Sequence, residues 1–293
     1  MSWITVIAAL VIAALVIVGY LLDREIYFYE GVHLGPRAQA WLYDRWSRKY
    51  DEGKRASQLR DAELLARPLL DLLKDVPEPF VLDFATGTGR LSYALLSEPD
   101  FKGQIIALDL SQGMLEQAAA KVQGLDPSGE NARSTRPEDH SIEFLRHIAL
   151  PLPFADAAFD VVCGLEVLEL FPNMDAPLAE LTRVLRPGGV LLSTRGTEES
   201  GRKAKVKSKA DYGALLQKYN VDNFEITPWW KLFDRVIAVK KGTSAPVGNQ
   251  KLSAVLRCGA CGQTHWKKAA GVLKCQHCGK ELSITPTGIV LNE

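Results

Sequence analysis

The sequence lacks an excess of charge of either sign. It contains 35 lysine and arginine residues against 35 aspartate and glutamate residues in a chain of 293. Balanced charge exerts no general attraction on nucleic acid, so the composition gives no indication of a nucleic-acid-binding protein. The length is sufficient for one complete catalytic domain with additional segments.

Charged residues are also missing from residues 3–22, WITVIAALVIAALVIVGYLL. A helix of this length rises about 30 Å, the thickness of the hydrocarbon core of a bilayer. Trp3 and Tyr20 lie near its ends, where aromatic residues favour the membrane interface. A buried core helix is the alternative, and a signal peptide is disfavoured because a basic start and a small-residue cleavage site are missing. The sequence therefore predicts a single-pass transmembrane anchor over residues 1–24.

Lysine and arginine are absent before this segment, whereas Arg24, Arg37, Arg45, Arg48 and Lys49 follow it. Positively charged flanks remain on the cytoplasmic side of a membrane. The pattern predicts a cell-membrane location with the long C-terminal part in the cytoplasm.

Strand-like and helix-like patterns alternate along the middle of the chain. Residues 59–74 have helical periodicity, with Pro68 as a possible kink. Strands are predicted at 80–84, 104–110, 159–165, 188–195, 223–230 and 233–241, and helices at 91–97, 112–122, 176–185 and 211–219. This alternation is typical of an α/β fold with a parallel sheet covered by helices. The polar residues 124–141 indicate a surface insertion.

Cysteine is almost absent before residue 250, where only Cys163 occurs. The other four form the pairs Cys258-x2-Cys261 and Cys275-x2-Cys278, which together match the spacing of a tetrahedral zinc site. Disulfides or redox pairs are the alternative, and a cytoplasmic location disfavours them. The tail is also too short to fold without such a link. We predict a structural Zn²⁺ ion, with His265 and His277 as possible substitute ligands.

Composition divides the chain into segments. The small-residue stretch at 241–250, KGTSAPVGNQ, indicates a linker. The predicted organisation is an anchor at 1–24, a juxtamembrane segment at 25–58, a catalytic domain at 59–240, the linker, and a zinc ribbon at 251–293.

A glycine-rich turn follows the first predicted strand, in FVLDFATGTGRL at 80–91. A Gly-x-Gly turn between strand and helix lets backbone N–H groups approach a ligand closely, as in dinucleotide sites. Asp109 lies twenty residues beyond Gly89 and is suited to bind a ribose. Asp83 is poorly placed for a pyrophosphate, but its charge suits a ligand with an ammonium and a sulfonium group. S-adenosyl-L-methionine is such a ligand.

Four segments carry a more specific signal, namely VLDFATGTGRL, IIALDLSQGML, LPFADAAFDVV and LTRVLRPGGVLL. In this order they resemble the class I S-adenosylmethionine-dependent methyltransferases, and within them the type 11 group with the ubiquinone and menaquinone C-methyltransferases. The resemblance covers about residues 40–240. It implies a Rossmann-like, seven-stranded sheet flanked by helices, with S-adenosyl-L-methionine as the cofactor.

The resemblance also implies cofactor-binding residues. The glycine loop would hold the methionine part, with Asp83 near its ammonium group, and Asp109 would accept the ribose hydroxyls. The acid that usually meets the adenine amino group is missing, so backbone at Ile148 or Ala149 is expected to replace it. The implied set is Asp83, Ala85, Thr86, Gly87, Gly89, Asp109, Leu110, Met114, Ile148, Ala149 and Leu165.

No catalytic base is evident from the sequence. Five residues are candidates for a general base, but residues of these types more often have a structural role: His147, Glu166, Glu169, Tyr43 and Tyr50. Leu165-Glu166-Val167-Leu168 replaces the Asn/Asp-Pro-Pro-Tyr of the family's amide- or adenine-N-methylating members. Cys163 lacks the Pro-Cys context of cytosine C5 enzymes and reads as a buried hydrophobic residue.

Residues 202–209, RKAKVKSK, contain five basic residues. They suit anionic lipid headgroups or RNA phosphates, and a solvated loop is the simplest alternative. The tail resembles a short zinc-ribbon family that is fused to, or partners with, methyltransferases, which implies a stabilising or substrate-presenting module.

The sequence thus predicts a membrane-anchored methyltransferase whose acceptor is a small membrane-associated molecule, either a quinone precursor or a lipid. One alternative is RNA or protein methylation with the ribbon presenting the substrate. Another is a membrane-tethered binding module without catalysis.

Overall fold

The structure is a computed structural model that describes residues 3–124, 142–200 and 206–292. Most of the predicted insertion at 124–141 and part of the basic stretch at 202–209 lie outside the described residues.

The centre of the fold is an eight-stranded sheet in the order β11-β3-β2-β1-β4-β5-β7-β6. Neighbouring strands are parallel except for β7, which runs antiparallel to β5 and β6. The strands are β1 Phe80–Phe84, β2 Gln104–Asp109, β3 Ile142–His147, β4 Phe159–Gly164, β5 Leu185–Gly196, β6 Val221–Trp230, β7 Phe233–Lys240 and β11 Ile289–Asn292. The predicted α/β class is confirmed: β1–β7 form the seven-stranded sheet and the tail adds an eighth strand.

Helices cover both faces of this sheet because its central strands are apolar on both sides. Val81 and Leu82, adjacent in β1, point into two separate hydrophobic cores. The helices are α1 Trp3–Tyr27, α2 Pro36–Gln58, α3 Arg67–Leu72, α4 Arg90–Leu96, α5 Gln112–Gln123, α6 Asp175–Val184, α7 Lys209–Lys218 and the short α8 Leu252–Val255.

The helix predicted at 59–74 contains a π-helical turn, Ala62–Ala66, immediately before α3. Pro68 has no N–H for the carbonyl of Leu64, four residues earlier. Arg235 donates to that carbonyl instead, at 2.7 Å. The proline therefore changes the helical pattern locally without ending it.

The tail contains a second, three-stranded sheet of β8 Trp266–Ala269, β9 Val272–Cys275 and β10 Glu281–Ser283. Leu256, before this sheet, lies in the same hydrophobic core as Phe154 and forms a bridge with it. The linker is also held, since Asp160 accepts the N–H groups of Val247 and Gly248 at 2.9 and 3.1 Å. Tail and sheet therefore share one core.

Helix α1 differs from all of these elements because none of its 25 residues is buried. It is long and apolar enough to cross a membrane, with a mean hydropathy of 2.8 over its most apolar window.

A short turn then leads into α2, which packs on α5. Gly113 permits this packing, because a Cβ there would lie 2.9 Å from Ser47 Oγ.

Candidate active site

The glycine loop follows β1 and is organised by Asp83. The carboxylate of Asp83 accepts the hydroxyls of Thr86 and Ser92 at 2.7 and 2.6 Å, and the Ser92 N–H at 3.2 Å. Burial raises the pKa of Asp83. Gly89 immediately precedes α4 and has a φ of 76°, and a Cβ there would lie 2.9 Å from Ala118 Cβ. These contacts fix the loop against the sheet and α5.

Asp109 ends β2, next to the loop, because the carboxyl ends of parallel strands meet at one edge of the sheet. One carboxylate oxygen accepts the Gly87 N–H at 2.8 Å, and the other accepts the Ser111 N–H at 2.8 Å. Burial raises the pKa of Asp109 to about 6. The two backbone donors orient the carboxylate and favour its ionised form.

A cavity of about 970 Å³ opens above this edge of the sheet. Eight of the implied cofactor residues line it: Ala85, Gly87, Asp109, Leu110, Met114, Ile148, Ala149 and Leu165. The remaining three, Asp83, Thr86 and Gly89, support the loop from behind instead of lining the cavity. Ligand cavities in proteins have volumes of about 300–1,000 Å³, and this cavity lies at the upper end of that range. It therefore has room for a nucleoside cofactor and a second small molecule.

Helix α2 forms the opposite wall, although its residues fall in the predicted juxtamembrane segment. Tyr43, Trp46, Tyr50 and Lys54 all line the cavity. They lie on one face of the helix because their spacing of three or four residues matches the helical repeat. This spacing of aromatic residues is the sequence signal that could have indicated a ligand-facing helix.

Two acidic residues of α2 hold it in place. Asp44 accepts the Ser111 hydroxyl at 2.6 Å and the Gly113 N–H at 2.8 Å, at the beginning of α5. Asp51 accepts the Thr88 hydroxyl of the glycine loop at 2.6 Å. The position of α2 is therefore fixed relative to the loop.

A cluster of ionic groups lies between the two walls. Glu166, which lines the cavity, accepts from Arg90 Nη1 at 3.0 Å and from the Lys54 ammonium. Arg90 also pairs with the buried Asp61 at 2.8 Å and stacks 4.5 Å from the Trp229 ring centre. The Glu166 N–H donates to Thr194 Oγ1 at 2.6 Å. Glu166 is therefore anchored through both backbone and side chain.

The other candidate bases have different surroundings. Burial raises the pKa values of Tyr43 and Tyr50, and Tyr43 donates to Glu30. Burial therefore disfavours the ionised form of both phenols, and Tyr43 acts as a hydrogen-bond donor. Glu169 accepts the Gly196 N–H at 2.8 Å. Cys163 is fully buried in β4, as expected for a small hydrophobic residue.

The four tail cysteines come together as the sequence predicts. Their sulfur atoms all lie within 4.8 Å of one another, with Cys258–Cys278 at 3.6 Å and Cys261–Cys275 at 3.7 Å. Zinc–sulfur bonds of about 2.3 Å in a tetrahedron place sulfur atoms about 3.8 Å apart, so the cluster fits a zinc ion. Among the described residues, neither His265 nor His277 belongs to this cluster.

The wall near Ile148 and Ala149 is connected to the tail. Strand β11 pairs with β3 so that Asn292 lies opposite His147, and its carbonyl lies 3.3 Å from His147 Nδ1. On the far side of this wall, the Arg257 N–H donates to the Pro153 carbonyl at 2.7 Å. The tail therefore holds the cavity wall from both ends.

Comparisons with known proteins agree with this geometry. A family model described as "Methyltransferase domain" matches residues 82–193. Demethylmenaquinone methyltransferase from Lactococcus lactis is 31% identical over 148 residues, which cover 50% of this chain and 54% of the relative. The enzyme of the same name from Renibacterium salmoninarum is 32% identical over 159 residues, covering 54% and 58%. The chain thus spans little more than half the length of these curated relatives.

Among solved structures, the CurJ carbon methyltransferase aligns with a TM-score of 0.52 and 13% identity over 71% of this chain and 61% of that one. This similarity concerns the fold alone. The family match and the relatives concern the middle of the chain: residues 82–193 are similar to a methyltransferase domain, and the main sheet that contains them has a Rossmann-like α/β topology.

Proposed function

We propose that the chain is an S-adenosyl-L-methionine-dependent methyltransferase whose acceptor is a small molecule of the quinone type. The observation that carries the proposal is the single cavity in which the Asp109 carboxylate and the glycine loop face the aromatic side of α2. A nucleoside site and an aromatic-lined site share one space there, as methyl transfer requires.

The residues present fit the cofactor. Asp109 has a carboxylate at the cavity wall, oriented by two backbone donors, and can accept both hydroxyls of a ribose. Leu110 and Met114 provide apolar contact for adenine, and the backbone at Ile148 and Ala149 provides polar contact. When bound, S-adenosyl-L-methionine supplies an electrophilic methyl group. The chain's own contribution is alignment and exclusion of water.

The acceptor side favours an aromatic ring with polar substituents. Tyr43, Trp46 and Phe233 provide aromatic surface for packing against such a ring. Lys54 and Glu166 are suited to a ring hydroxyl, since the ammonium donates to its oxygen and the carboxylate accepts its proton. The names of the curated relatives support a quinone-type acceptor. Nucleic acid remains the alternative partner, predicted from a basic stretch that lies partly outside the described residues.

The same proposal includes a membrane location and a metal. Helix α1 would be a single-pass anchor, and the basic residues after it would keep the catalytic part in the cytoplasm. Cys258, Cys261, Cys275 and Cys278 would hold a structural Zn²⁺ ion. The domain division predicted above is retained, but α2 in segment 25–58 contributes to the site.

Calorimetry of the full chain in detergent micelles with S-adenosyl-L-methionine tests the cofactor. We expect micromolar affinity that falls about 100-fold in Asp109→Ala, because two charge-assisted hydrogen bonds are lost. The exposed Asp100→Ala is the matched control and should bind like wild type.

Methyl transfer is then measured with a radiolabelled methyl group, a reduced prenylated naphthoquinone and, separately, RNA. Transfer to the quinol supports the acceptor class. A folded protein that does not bind the cofactor would contradict the enzyme assignment, and transfer to RNA alone would replace the acceptor.

A further inference from the structure

The cavity extends from the cofactor edge to the end of the apolar helix. Tyr27, the last residue of α1, lines the cavity together with Val32 and Pro36 from the following turn and the beginning of α2. The same cavity contains Asp109 at its other side. The proposed reaction site and the proposed membrane anchor therefore share a continuous space.

The rim of the cavity on this side is apolar and exposed. Tyr27 is 70% exposed and Leu232 is 39% exposed, and the exposed Pro36 and Pro172 complete the rim. Contiguous exposed apolar surface in a soluble region marks a contact with a membrane or another apolar partner. Helix α1, which exposes apolar side chains along its whole length, favours the membrane as that partner.

The junction between α1 and α2 fixes this arrangement. Glu25 accepts His33 Nδ1 at 2.8 Å and the His33 N–H at 2.9 Å, and its carbonyl accepts the Gly31 N–H at 3.0 Å. Arg24 donates to the Tyr29 hydroxyl at 3.1 Å. Since Asp44 then ties α2 to α5, a connected series of contacts couples the anchor to the cavity.

Polarity changes across the cavity. The exposed lining residues Tyr27, Pro36, Pro172 and Leu232 are apolar, whereas the charged lining residues Glu30, Lys54, Glu166 and Asp109 are half-buried or buried. This gradient matches an amphipathic molecule with a polar ring and an apolar chain. A molecule of that kind dissolves in a bilayer and exposes only its ring to the interface.

We propose that the acceptor enters from the bilayer through this rim, with its ring toward Lys54 and Glu166 and its apolar chain passing Tyr27 and Leu232 into the lipid. The entrance is a feature of the chain itself, and its use by a methyl acceptor rests on the function proposed above.

Photo-crosslinking of the full chain in phosphatidylethanolamine–phosphatidylglycerol vesicles tests the entrance without any activity measurement. A benzophenone amino acid replaces Leu232 in one variant and, as a control, the exposed Leu72 of α3 in another. We expect lipid adducts at position 232 to exceed those at position 72 about tenfold, and a prenylated naphthoquinone in the vesicles to displace them. The proposal would be overturned if position 232 formed no lipid adducts, or no more of them than position 72.

Kinetics then test use of the entrance. In Leu232→Asp, a charge at the rim obstructs an apolar chain. We expect the apparent KM for a long-chain naphthoquinol in vesicles to rise about tenfold, with cofactor affinity within about twofold of wild type and of Leu72→Asp. An unchanged KM would contradict the entrance. If wild type binds no cofactor, the proposed function fails, while the crosslinking result still decides the entrance.

Discussion

The two sides of the cavity are built in different ways. Most of the proposed cofactor side comes from neighbouring segments between residues 80 and 114, where a loop and a strand end present backbone N–H groups and one carboxylate, and Ile148 and Ala149 complete it. The acceptor side is assembled from distant segments, since α2 meets residues after β4 and the β6–β7 turn only through tertiary contacts. A short motif can therefore define the first side, whereas the second depends on the whole fold. Substitutions on one side of the cavity can test whether the other side depends on it.

Replacing Arg90 should have the largest effect because this residue joins the two sides. It follows the glycine loop, and it pairs with Asp61 and Glu166 while stacking on Trp229. Arg90→Ala leaves the buried Asp61 without its ionic partner and Glu166 with Lys54 alone, so we expect a loss of about 3–4 kcal/mol in unfolding free energy. Urea denaturation in detergent micelles measures it.

The control for Arg90 is Arg60→Ala, because the Arg60 side chain is 51% exposed and pairs with Glu63 at the surface. It should change stability by less than about 0.5 kcal/mol. An Arg90→Ala protein as stable as this control would show that the two sides do not depend on the ionic cluster.

Asp83→Ala should disturb the cofactor side alone. Three donors, from Thr86 and Ser92, lose their acceptor behind the loop. Relief of the buried charge offsets part of that cost, so we expect about 2–3 kcal/mol of destabilisation and a clear loss of cofactor affinity. Denaturation and calorimetry measure both, and the exposed Asp71→Ala serves as the control. Normal cofactor binding with wild-type stability would contradict a supporting role for Asp83.

Lys54→Ala should disturb the acceptor side alone. Its ammonium reaches the cavity from α2 and pairs with Glu166, away from Asp109. We expect kcat/KM for a naphthoquinol to fall about tenfold, or about 1.4 kcal/mol, with cofactor affinity unchanged. The matched control is Lys49→Ala, an exposed lysine on the same helix. An equal loss of cofactor affinity would show that the two sides are not separable.

The same contrast explains what the sequence could predict. Spacing and resemblance predict Asp109 and Gly87 as site residues, and both line the cavity, because strand order makes neighbouring loops meet at one edge. The placement of Asp83 near the ammonium group stays a prediction. The contacts of its carboxylate with Ser92 follow from packing and not from a motif.

Larger differences concern segments that look unrelated in sequence. The sequence predicts a juxtamembrane segment at 25–58 but does not indicate that α2, within it, contacts the loop through Asp44 and Asp51. It predicts a zinc ribbon at 251–293 but does not indicate that β11, within it, extends the main sheet beside β3. Both depend on contacts between segments that are far apart in the chain, 37 and 69 residues in the case of α2, which local periodicity does not report.

The smallest expected effect is a pH dependence confined to the cofactor side. Burial raises the pKa of Asp109 to about 6, above its ordinary value of 3.8, so the folded protein takes up this proton more readily than the unfolded chain. Its ionisation therefore opposes folding above pH 6, and this cost is lost as the pH falls from 6 toward 4. Ribose binding needs the ionised form, so cofactor affinity should decrease about fourfold between pH 7 and pH 5.5. Calorimetry at pH 7 and at pH 5.5 measures this change in cofactor affinity.

The control is Asp109→Asn, which should bind the cofactor weakly and with little pH dependence. An equal pH effect in that variant would assign the titration to another group.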